Sequence, residues 1–228
     1  MHVLVVRHHQ EDGAGLVGEA FDARGDQLST VLVEAPGDLP DVGAYDHVVV
    51  LGATASAYDP AARERWVEGE VEWLRRALAR GTSVLGICFG AQLLADAHGG
   101  RVERAPAYEI GWVSVDPVGP AQSGARVGPG PWFQFHGDRC VLPPGAEVLA
   151  RNDVCDQAFV LGRTLGVQFH PEVDAAQLRR WFEHGGRRPV EKAGLDPDAL
   201  LEQTSDEERA ARTRAAVLVE TFLRHVAQ

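Results

Sequence analysis

The apolar positions in the first half of the chain alternate between two patterns. Short runs of β-branched residues, such as 2–6 (HVLVV) and 47–52 (HVVVLG), predict buried strands. Stretches with helical periodicity lie between them, the longest at about 61–80, where a broad apolar stripe ends just before Gly81. Strands that alternate with helices are typical of an α/β fold with a largely parallel sheet.

From residue 101 onward, the pattern changes to strands separated by turns rich in glycine and proline. The predicted strands include 108–118 (YEIGWVSVDPV), 132–138 (WFQFHGD) and 164–170 (TLGVQFH). We expect them to extend the sheet in antiparallel or mixed orientation. The sequence therefore predicts a three-layer α/β fold, with a central mostly parallel, mixed sheet flanked by helices.

Helical patterns return after Glu172. A short helix is predicted first, and an amphipathic helix follows from about Asp206 to His225, with Thr204 or Ser205 as its N-cap. We interpret residues 1–228 as a single domain and residues 174–228 as its mostly helical C-terminal extension. A chain of 228 residues with 45% hydrophobic content is long enough to bury one sizeable core.

Composition excludes several classes of function. The formal net charge of −11, with no basic tract, argues against a nucleic-acid partner. The first apolar run is too short for a signal peptide, and no apolar stretch is long enough to span a bilayer, so we expect a cytoplasmic protein without membrane contact. The three cysteines form no CxxC pair, and the histidines show no ligand spacing, so we expect neither disulfides nor a metal or cofactor.

The main chemical signal lies in residues 84–100 (VLGICFGAQLLADAHGG), where a strand runs through Gly86-Ile87-Cys88-Phe89-Gly90 directly into a helix. This is the pattern of a nucleophile elbow, with cysteine as the nucleophile. Cys88 would lie at a helix N-terminus, where the helix dipole favours a thiolate. The N–H of Phe89 would then be one oxyanion donor. The alternative interpretation is a tight turn with a small buried cysteine.

A second motif, residues 166–173 (GVQFHPEV), supplies a base and a carboxylate. Side chains two residues apart in an extended segment face the same way, and Pro171 keeps His170 extended, so His170 and Glu172 should share one side. A glutamate that orients an imidazole toward a thiol follows the logic of a catalytic triad. Taken alone, the motif could equally close a surface strand.

The elbow with its following GAQLLA, together with GVQFHPEV, closely resembles the class I glutamine amidotransferases, in which a Cys/His/Glu triad releases ammonia from glutamine. Residues 133–173 are similar in particular to the glutaminase domain of GMP synthetase. With EIGW included, the resemblance runs from about Val48 to Val173. It implies the flavodoxin-like fold of that family.

The resemblance also implies a role for individual residues. Cys88 would be the nucleophile, His170 the general base and acid, and Glu172 the orienting carboxylate. Gln92, one helical turn after the nucleophile, matches a position that contacts the bound glutamine. The alternative for Gln92 is a polar residue bonded inside the helix.

One departure from the family concerns the turn after the third strand. The family has a Gly-Gly-Pro-like turn that gives the second oxyanion donor, and here the turn is Gly52-Ala53-Thr54. We expect Gly52 to line the substrate site and Ala53 to donate its N–H beside that of Phe89. Because the Cβ of Ala53 restricts positive φ, we expect the oxyanion hole to be incomplete, and basal activity low, until substrate or a partner reorients the Gly52-Ala53 peptide.

Three functional hypotheses follow. The first is a glutaminase that passes ammonia to a separate synthetase subunit, because no P-loop or other nucleotide motif is present. The second is a hydrolase of γ-glutamyl amines or peptides that uses the same triad, and the third is a catalytically silent binding or regulatory relative. The oligomeric state is left open. Of the other polar residues that could approach the site, we expect His8 and His9 to be exposed to solvent and Asp138 to stabilise a turn.

Overall fold

A mixed sheet of eight strands lies at the centre of the computed structural model, which describes residues 1–119 and 121–228. In chain order, the strands are β1 (His2–Arg7), β2 (Gln27–Leu32), β3 (His47–Val50), β4 (Ser83–Ile87), β5 (Arg101–Val113), β6 (Asp116–Pro117), β7 (Trp132–Val141), β8 (Glu147–Arg151), β9 (Asp156–Leu161) and β10 (Thr164–Val167). The order across the main sheet is β2-β1-β3-β4-β10-β9-β8-β6, and β5 pairs with β7 in a separate antiparallel sheet.

The α-helices are α1 (Gly15–Asp22), α2 (Pro60–Ala62), α3 (Glu68–Ala79), α4 (Phe89–Ala97), α5 (Ala175–Trp181), α6 (Arg187–Lys192) and α7 (Pro197–His225). Two π-helical turns, Arg63–Val67 and Phe182–Gly186, lead into α3 and α6, and two short 3-10 turns, Pro36–Asp38 and Val42–Ala44, precede β3. No helix in the two described ranges combines the length and the apolar character that crossing a membrane requires.

The two faces of the sheet bury different helices, as the alternation along β1 shows. Val3 and Val5 belong to one apolar cluster, which also contains buried side chains of α1 and α7. Leu4 and Val6 point to the other face, into a cluster with α3 and α4. This arrangement confirms the predicted three-layer α/β fold with a mostly parallel, mixed sheet.

Four parallel strands, β1, β3, β4 and β10, end at the same edge of the sheet. In open α/β sheets, ligands bind outside the carboxyl ends of the strands. The residues that follow these strands here are His8, Gly52, Cys88 and the segment that leads to His170. The topology therefore brings four separate parts of the chain to one place.

The second half differs from the prediction in one respect. Strands β9, β8 and β6 do extend the main sheet in antiparallel orientation, but β5 and β7 leave it and form a sheet of their own. A register shift between Arg104 and Glu109 interrupts their pairing. Alternation of apolar residues identifies a strand but not its partner. The pattern therefore could not predict that β5 and β7 pair with each other and not with the main sheet.

The last helix begins earlier than predicted. Helix α7 starts at Pro197, and its N-cap is Asp196, whose side chain accepts a hydrogen bond from the Asp198 N–H. Thr204 and Ser205, the predicted caps, lie inside the helix and donate their hydroxyl protons to carbonyls one turn earlier. The predicted cap was therefore wrong; Asp followed by Pro at the first helical position was the correct start signal.

Candidate active site

Cys88 occupies the sharp turn between β4 and α4. Its φ of 51° is the one positive value for a non-glycine residue within residues 1–119 and 121–228. The flanking glycines make this turn possible because a Cβ on Gly90 would lie 2.2 Å from the Val50 carbonyl oxygen, and one on Gly86 would lie 2.6 Å from the Gly90 carbonyl oxygen. Strained backbone of this kind is typical of functional turns and persists only where the surroundings hold it.

Backbone hydrogen bonds fix the turn on both sides. The Cys88 N–H donates to the Val167 carbonyl at 2.8 Å, and the Cys88 carbonyl accepts from the Gln92 N–H at 3.1 Å. Phe89 is the first residue of α4, so its N–H has no acceptor inside the helix. The structure thus holds the thiol at a helix N-terminus, next to a free backbone donor.

His170 and Glu172 meet through their side chains. The Nδ1 of His170 lies 2.7 Å from Oε1 of Glu172, and both side chains are at most 5% exposed. The His170 N–H donates to the Phe133 carbonyl at 2.8 Å, which ties this segment to β7. The side chains of His170 and Glu172 thus lie on the same side of this segment, as the motif predicts.

The charge state of His170 reflects its neighbours. Burial disfavours the imidazolium, but the negative charge of Glu172 and the charge and hydrogen bond of Cys88 outweigh it, so the pKa of His170 is raised well above its ordinary value. Cys88 and His170 line the same cavity. An imidazolium next to a cysteine is the arrangement that activates a thiol for nucleophilic attack.

Gly52 packs against both members of this pair. A Cβ at Gly52 would lie 3.0 Å from Cε1 of His170 and 3.8 Å from Cβ of Cys88, so only a glycine leaves the ring undisturbed. Its carbonyl oxygen accepts a hydrogen bond from Nδ1 of His8 at 2.8 Å. The expectation that His8 is solvent-exposed was wrong, because its side chain is 3% exposed and pairs with Glu70 of α3. His9, by contrast, is exposed.

Two cavities meet at Cys88, and Ala53 and Thr54 of the turn after β3 also line both of them. The first, of about 230 Å³, contains His170 and Glu172 and has walls of Phe135, Trp181 and Pro189. The second, of about 240 Å³, contains the start of α4 and the polar loop of β7, with Phe89, Gln92 and residues 136–138. Cys88 therefore faces a cavity on either side.

Gln92 and Asp138 lie at the second cavity. The Gln92 amide is buried and donates to Oε1 of Gln168 at 3.4 Å, so it is bonded to the segment before His170 and not within its own helix. Asp138 accepts hydrogen bonds from the hydroxyls of Ser56 and Tyr58 at 2.6 and 2.9 Å. Asp138 thereby anchors the loop that follows Ala53.

Two polar residues near Cys88 and His170, Asp12 and Glu70, were not found from the sequence. Asp12 lies in the first cavity, where burial raises its pKa, the Trp181 N–H lowers it and the charge of Glu172 raises it further. Glu70 is fully buried beside His8. A histidine at the carboxyl end of the first parallel strand was the available signal for His8, since that strand end lies at the ligand-binding edge.

One cluster offers metal-ligand atoms outside this site. Atoms of Glu109, His136 and Cys155 lie within 4.8 Å of one another. The side-chain amide of Gln157 donates to Glu109 and to the Cys155 sulfur, and Asn152 donates to the other oxygen of Glu109. Side-chain amides thus already donate hydrogen bonds to the carboxylate and to the sulfur. This is the pattern of a buried polar network, and we assign no metal there.

Comparison with known proteins gives a consistent result. Residues 20–184 match the family model for class I glutamine amidotransferases. The GMP synthase (glutamine-hydrolysing) of Thermus thermophilus is 33% identical over 199 residues, which cover 81% of this chain and 37% of the relative. That of Thermomicrobium roseum is 40% identical over 132 residues, which cover 55% of this chain and 23% of the relative. The chain thus spans well under half the length of these curated relatives.

Solved structures resemble the whole chain. A glutamine amidotransferase from Thermotoga maritima aligns with a TM-score of 0.87 and 29% identity over 98% of both chains. A second, from Methylobacillus flagellatus, aligns with a TM-score of 0.84 and 25% identity over 98% of this chain and 94% of the other. The family model covers well over half of the sequence, and the fold matches along its length. The chain belongs to the class I glutamine amidotransferase family.

Proposed function

We propose that this protein hydrolyses the side-chain amide of glutamine, or of a close γ-glutamyl compound, through a thioester on Cys88. One observation carries the proposal: a cysteine in a strained elbow at a helix N-terminus lines the same cavity as a buried histidine, which is itself paired with Glu172 at 2.7 Å. A buried turn with an inert thiol needs neither the strain nor the ionic pair. A catalytically silent relative would likewise gain nothing from keeping them.

The reaction begins when the Cys88 thiolate attacks the amide carbon. Negative charge then develops on the former carbonyl oxygen, and the N–H groups of Phe89 and Ala53 stabilise it. The imidazolium of His170 gives its proton to the departing nitrogen as the C–N bond breaks, so ammonia leaves and a γ-glutamyl thioester remains. His170 next takes a proton from water, which attacks the thioester and releases glutamate and the thiolate.

The two cavities have different roles in this scheme. His170, the proton donor to the leaving group, lines the first cavity and not the second. The second cavity contains Phe89, Gln92 and the polar loop of β7. We assign the glutamyl portion, with its contact to Gln92, to the second cavity and the departing amine to the first, and we assign to Gly52, which lines the first cavity, a contact with the substrate at the reacting amide.

The relatives reported above are named GMP synthase (glutamine-hydrolysing), a name that joins glutamine hydrolysis to a synthesis. We propose that this protein similarly delivers ammonia to a synthetase, held on a partner subunit. Ammonia release by the purified chain, alone and with lysate from its source, tests this step. Stimulation by the lysate supports a partner, and an unchanged rate speaks against one.

A second candidate function uses the same triad on γ-glutamyl amines or peptides. The first cavity favours this second function. Its volume of about 230 Å³ is larger than ammonia requires, and its aromatic walls suit an apolar substituent on the amine. A comparison of kcat/KM for glutamine and for a series of N-alkyl γ-glutamyl amides separates the two functions. A preference for the substituted amides that disappears in Trp181→Ala would favour the second.

The primary test is ammonia release from glutamine by the wild-type protein and by Cys88→Ala. We expect turnover in the wild type and none in the variant. Cys140→Ala is the matched control, because Cys140 is a buried cysteine in neither cavity. A wild type without turnover on any γ-glutamyl amide, or an active Cys88→Ala protein, would refute the proposal.

A further inference from the structure

A buried ion pair lies directly behind the turn that follows β3. The Nε2 of His8 is 3.1 and 3.2 Å from the two carboxylate oxygens of Glu70, and the side chains are 3% and 0% exposed. Trp66 and Phe89 pack against the imidazole with ring centroids 5.2 and 5.1 Å away. A charged pair is costly to bury, so a pair kept this close to the nucleophile calls for an explanation.

The other ring nitrogen of His8 determines its hydrogen-bonding role. Nδ1 lies 2.8 Å from the carbonyl oxygen of Gly52, which can only accept, so Nδ1 must carry a proton and donate it. Burial lowers the pKa of His8, but the charge and hydrogen bond of Glu70 and the Gly52 carbonyl raise it more, and the net effect is a raised pKa. Both ring nitrogens of His8 thus face acceptors, the Glu70 carboxylate and the Gly52 carbonyl, which is the hydrogen-bond pattern of an imidazolium.

This contact sets the direction of the next amide. The peptide between Gly52 and Ala53 is trans, because the one cis bond in residues 1–119 and 121–228 is Gly130-Pro131. In a planar trans peptide the C=O and the following N–H point in opposite directions. With its carbonyl held on the buried His8, the peptide turns the Ala53 N–H the other way. That N–H has no hydrogen-bond acceptor in either described range, and Ala53 lines both cavities with Cys88.

We infer that His8 and Glu70 are positioning residues that lock the Gly52-Ala53 peptide with its N–H facing the nucleophile, so that the oxyanion hole is formed at rest. This inference rests on the proposed function, since it concerns the same acyl transfer. Ala53 is compatible with the lock because neither it nor Gly52 has a positive φ. It replaces the sequence-based expectation of a hole that opens only on activation.

A pair of double variants tests the lock while it avoids a lone buried charge. Both carry Glu70→Met, and they differ only at residue 8, as His8→Leu or His8→Asn. Leu and Asn have nearly the same shape, but the Asn amide nitrogen can donate to the Gly52 carbonyl from the position of Nδ1. We expect His8→Leu/Glu70→Met to lower kcat by about 10- to 100-fold, since loss of a full oxyanion donor costs about 10²- to 10³-fold. His8→Asn/Glu70→Met should stay within about threefold of the wild type.

A second readout separates this role from a purely structural one. Alkylation of Cys88 by iodoacetamide is a direct displacement at carbon that needs the thiolate but no oxyanion hole. We expect its rate to be unchanged in both double variants. His47→Leu is the matched control. His47 is also a buried histidine, but it bonds to Ser83 where β3 and β4 begin, at the opposite end of these strands from the Cys88 turn, so this variant should retain kcat.

The outcomes are distinguishable. A wild type without turnover on glutamine and γ-glutamyl amides refutes the proposed function, and the lock falls with it. If the wild type is active, two results refute the lock alone. One is a loss of less than about fivefold in kcat for His8→Leu/Glu70→Met, and the other is alkylation that slows in proportion to turnover. If the double variants do not fold, Glu70→Gln provides the test. This substitution weakens the charge-assisted hydrogen bond from His8 to Gly52, so kcat should fall at least about threefold while the alkylation rate stays unchanged. A kcat equal to that of the wild type would overturn the inference.

Discussion

Nδ1 of His170 and Oε1 of Glu172 are 2.7 Å apart, although only one residue separates them in the chain. The pairing follows from an extended backbone, in which alternate side chains share a face, and the bond from the His170 N–H to Phe133 holds that backbone in place. Both side chains are buried, so solvent screens the pair little. The charge of Glu172 is therefore the largest influence that raises the pKa of His170.

Glu172→Gln tests this control. Removal of the carboxylate charge takes away the largest influence that raises the pKa of His170 against burial, so that pKa should fall. Because the imidazolium is needed to protonate the leaving nitrogen, activity is lost as pH rises through that pKa. We expect the alkaline limb of kcat/KM to move to lower pH and kcat to fall by about 10²-fold. A pH profile measures both, and an unmoved alkaline limb would contradict the assigned pairing.

Gly52→Ala tests the close approach of the turn to the base. The new Cβ would lie 3.0 Å from Cε1 of His170, so the ring must shift by a few tenths of an ångström. We expect kcat to fall by about tenfold, because misplacement by about 1 Å can cost about 10²-fold. Gly128→Ala is the control, since a Cβ there meets no atom within 4 Å. Equal kcat for both variants would show that Gly52 has no steric role.

Asp12→Asn is expected to stabilise the protein at neutral pH. Burial raises the pKa of Asp12, so the folded state binds its proton more tightly than the unfolded chain does. Its contribution to stability is present at low pH and is lost as pH rises from the unfolded pKa of about 3.9 toward the folded value. Asparagine keeps the acceptor for the Trp181 N–H. Thermal unfolding should show Tm raised by about 2 °C at pH 7, with no gain near pH 3; a lower Tm at pH 7 would contradict this.

Asp196→Ala tests the observed start of α7. Loss of the side chain that accepts from the Asp198 N–H should lower the free energy of unfolding by about 1 kcal/mol, the usual cost of removing an N-cap. Ser205→Ala is the comparison, because Ser205 bonds to a carbonyl inside the helix and its loss should cost little. Chemical denaturation measures both changes. A larger loss for Ser205→Ala would place the cap where the sequence pattern suggested.

Local patterns were enough to predict the parallel half of the sheet and the elbow. The runs of β-branched residues in β1, β3 and β4 become buried strands, and the glycines around Cys88 are required by contacts of 2.2 and 2.6 Å. The glycine pattern that predicts the elbow is local, although one of these contacts is with Val50 of β3. The family motifs added the segment around His170, which meets Cys88 only through the pairing of β4 with β10.

Other features depend on contacts that the local sequence does not carry. The burial of His8 results from side chains of α3 about sixty residues away, so the local pattern of consecutive histidines looked like an exposed loop. The start of α7 was missed because its first turns are mostly polar and lack an apolar stripe. The separation of β5 and β7 from the main sheet is a matter of pairing between strands, which alternation alone leaves undetermined.

Covalent capture tests the central claim most directly. A glutamine-analogue electrophile should react with a single thiol, and intact mass followed by peptide mapping identifies which. We predict one adduct on Cys88, none in Cys88→Ala, and none on Cys140 or Cys155, since burial raises the pKa of both thiols. Labelling that persists in Cys88→Ala, or a wild type that stays unlabelled, would contradict the account.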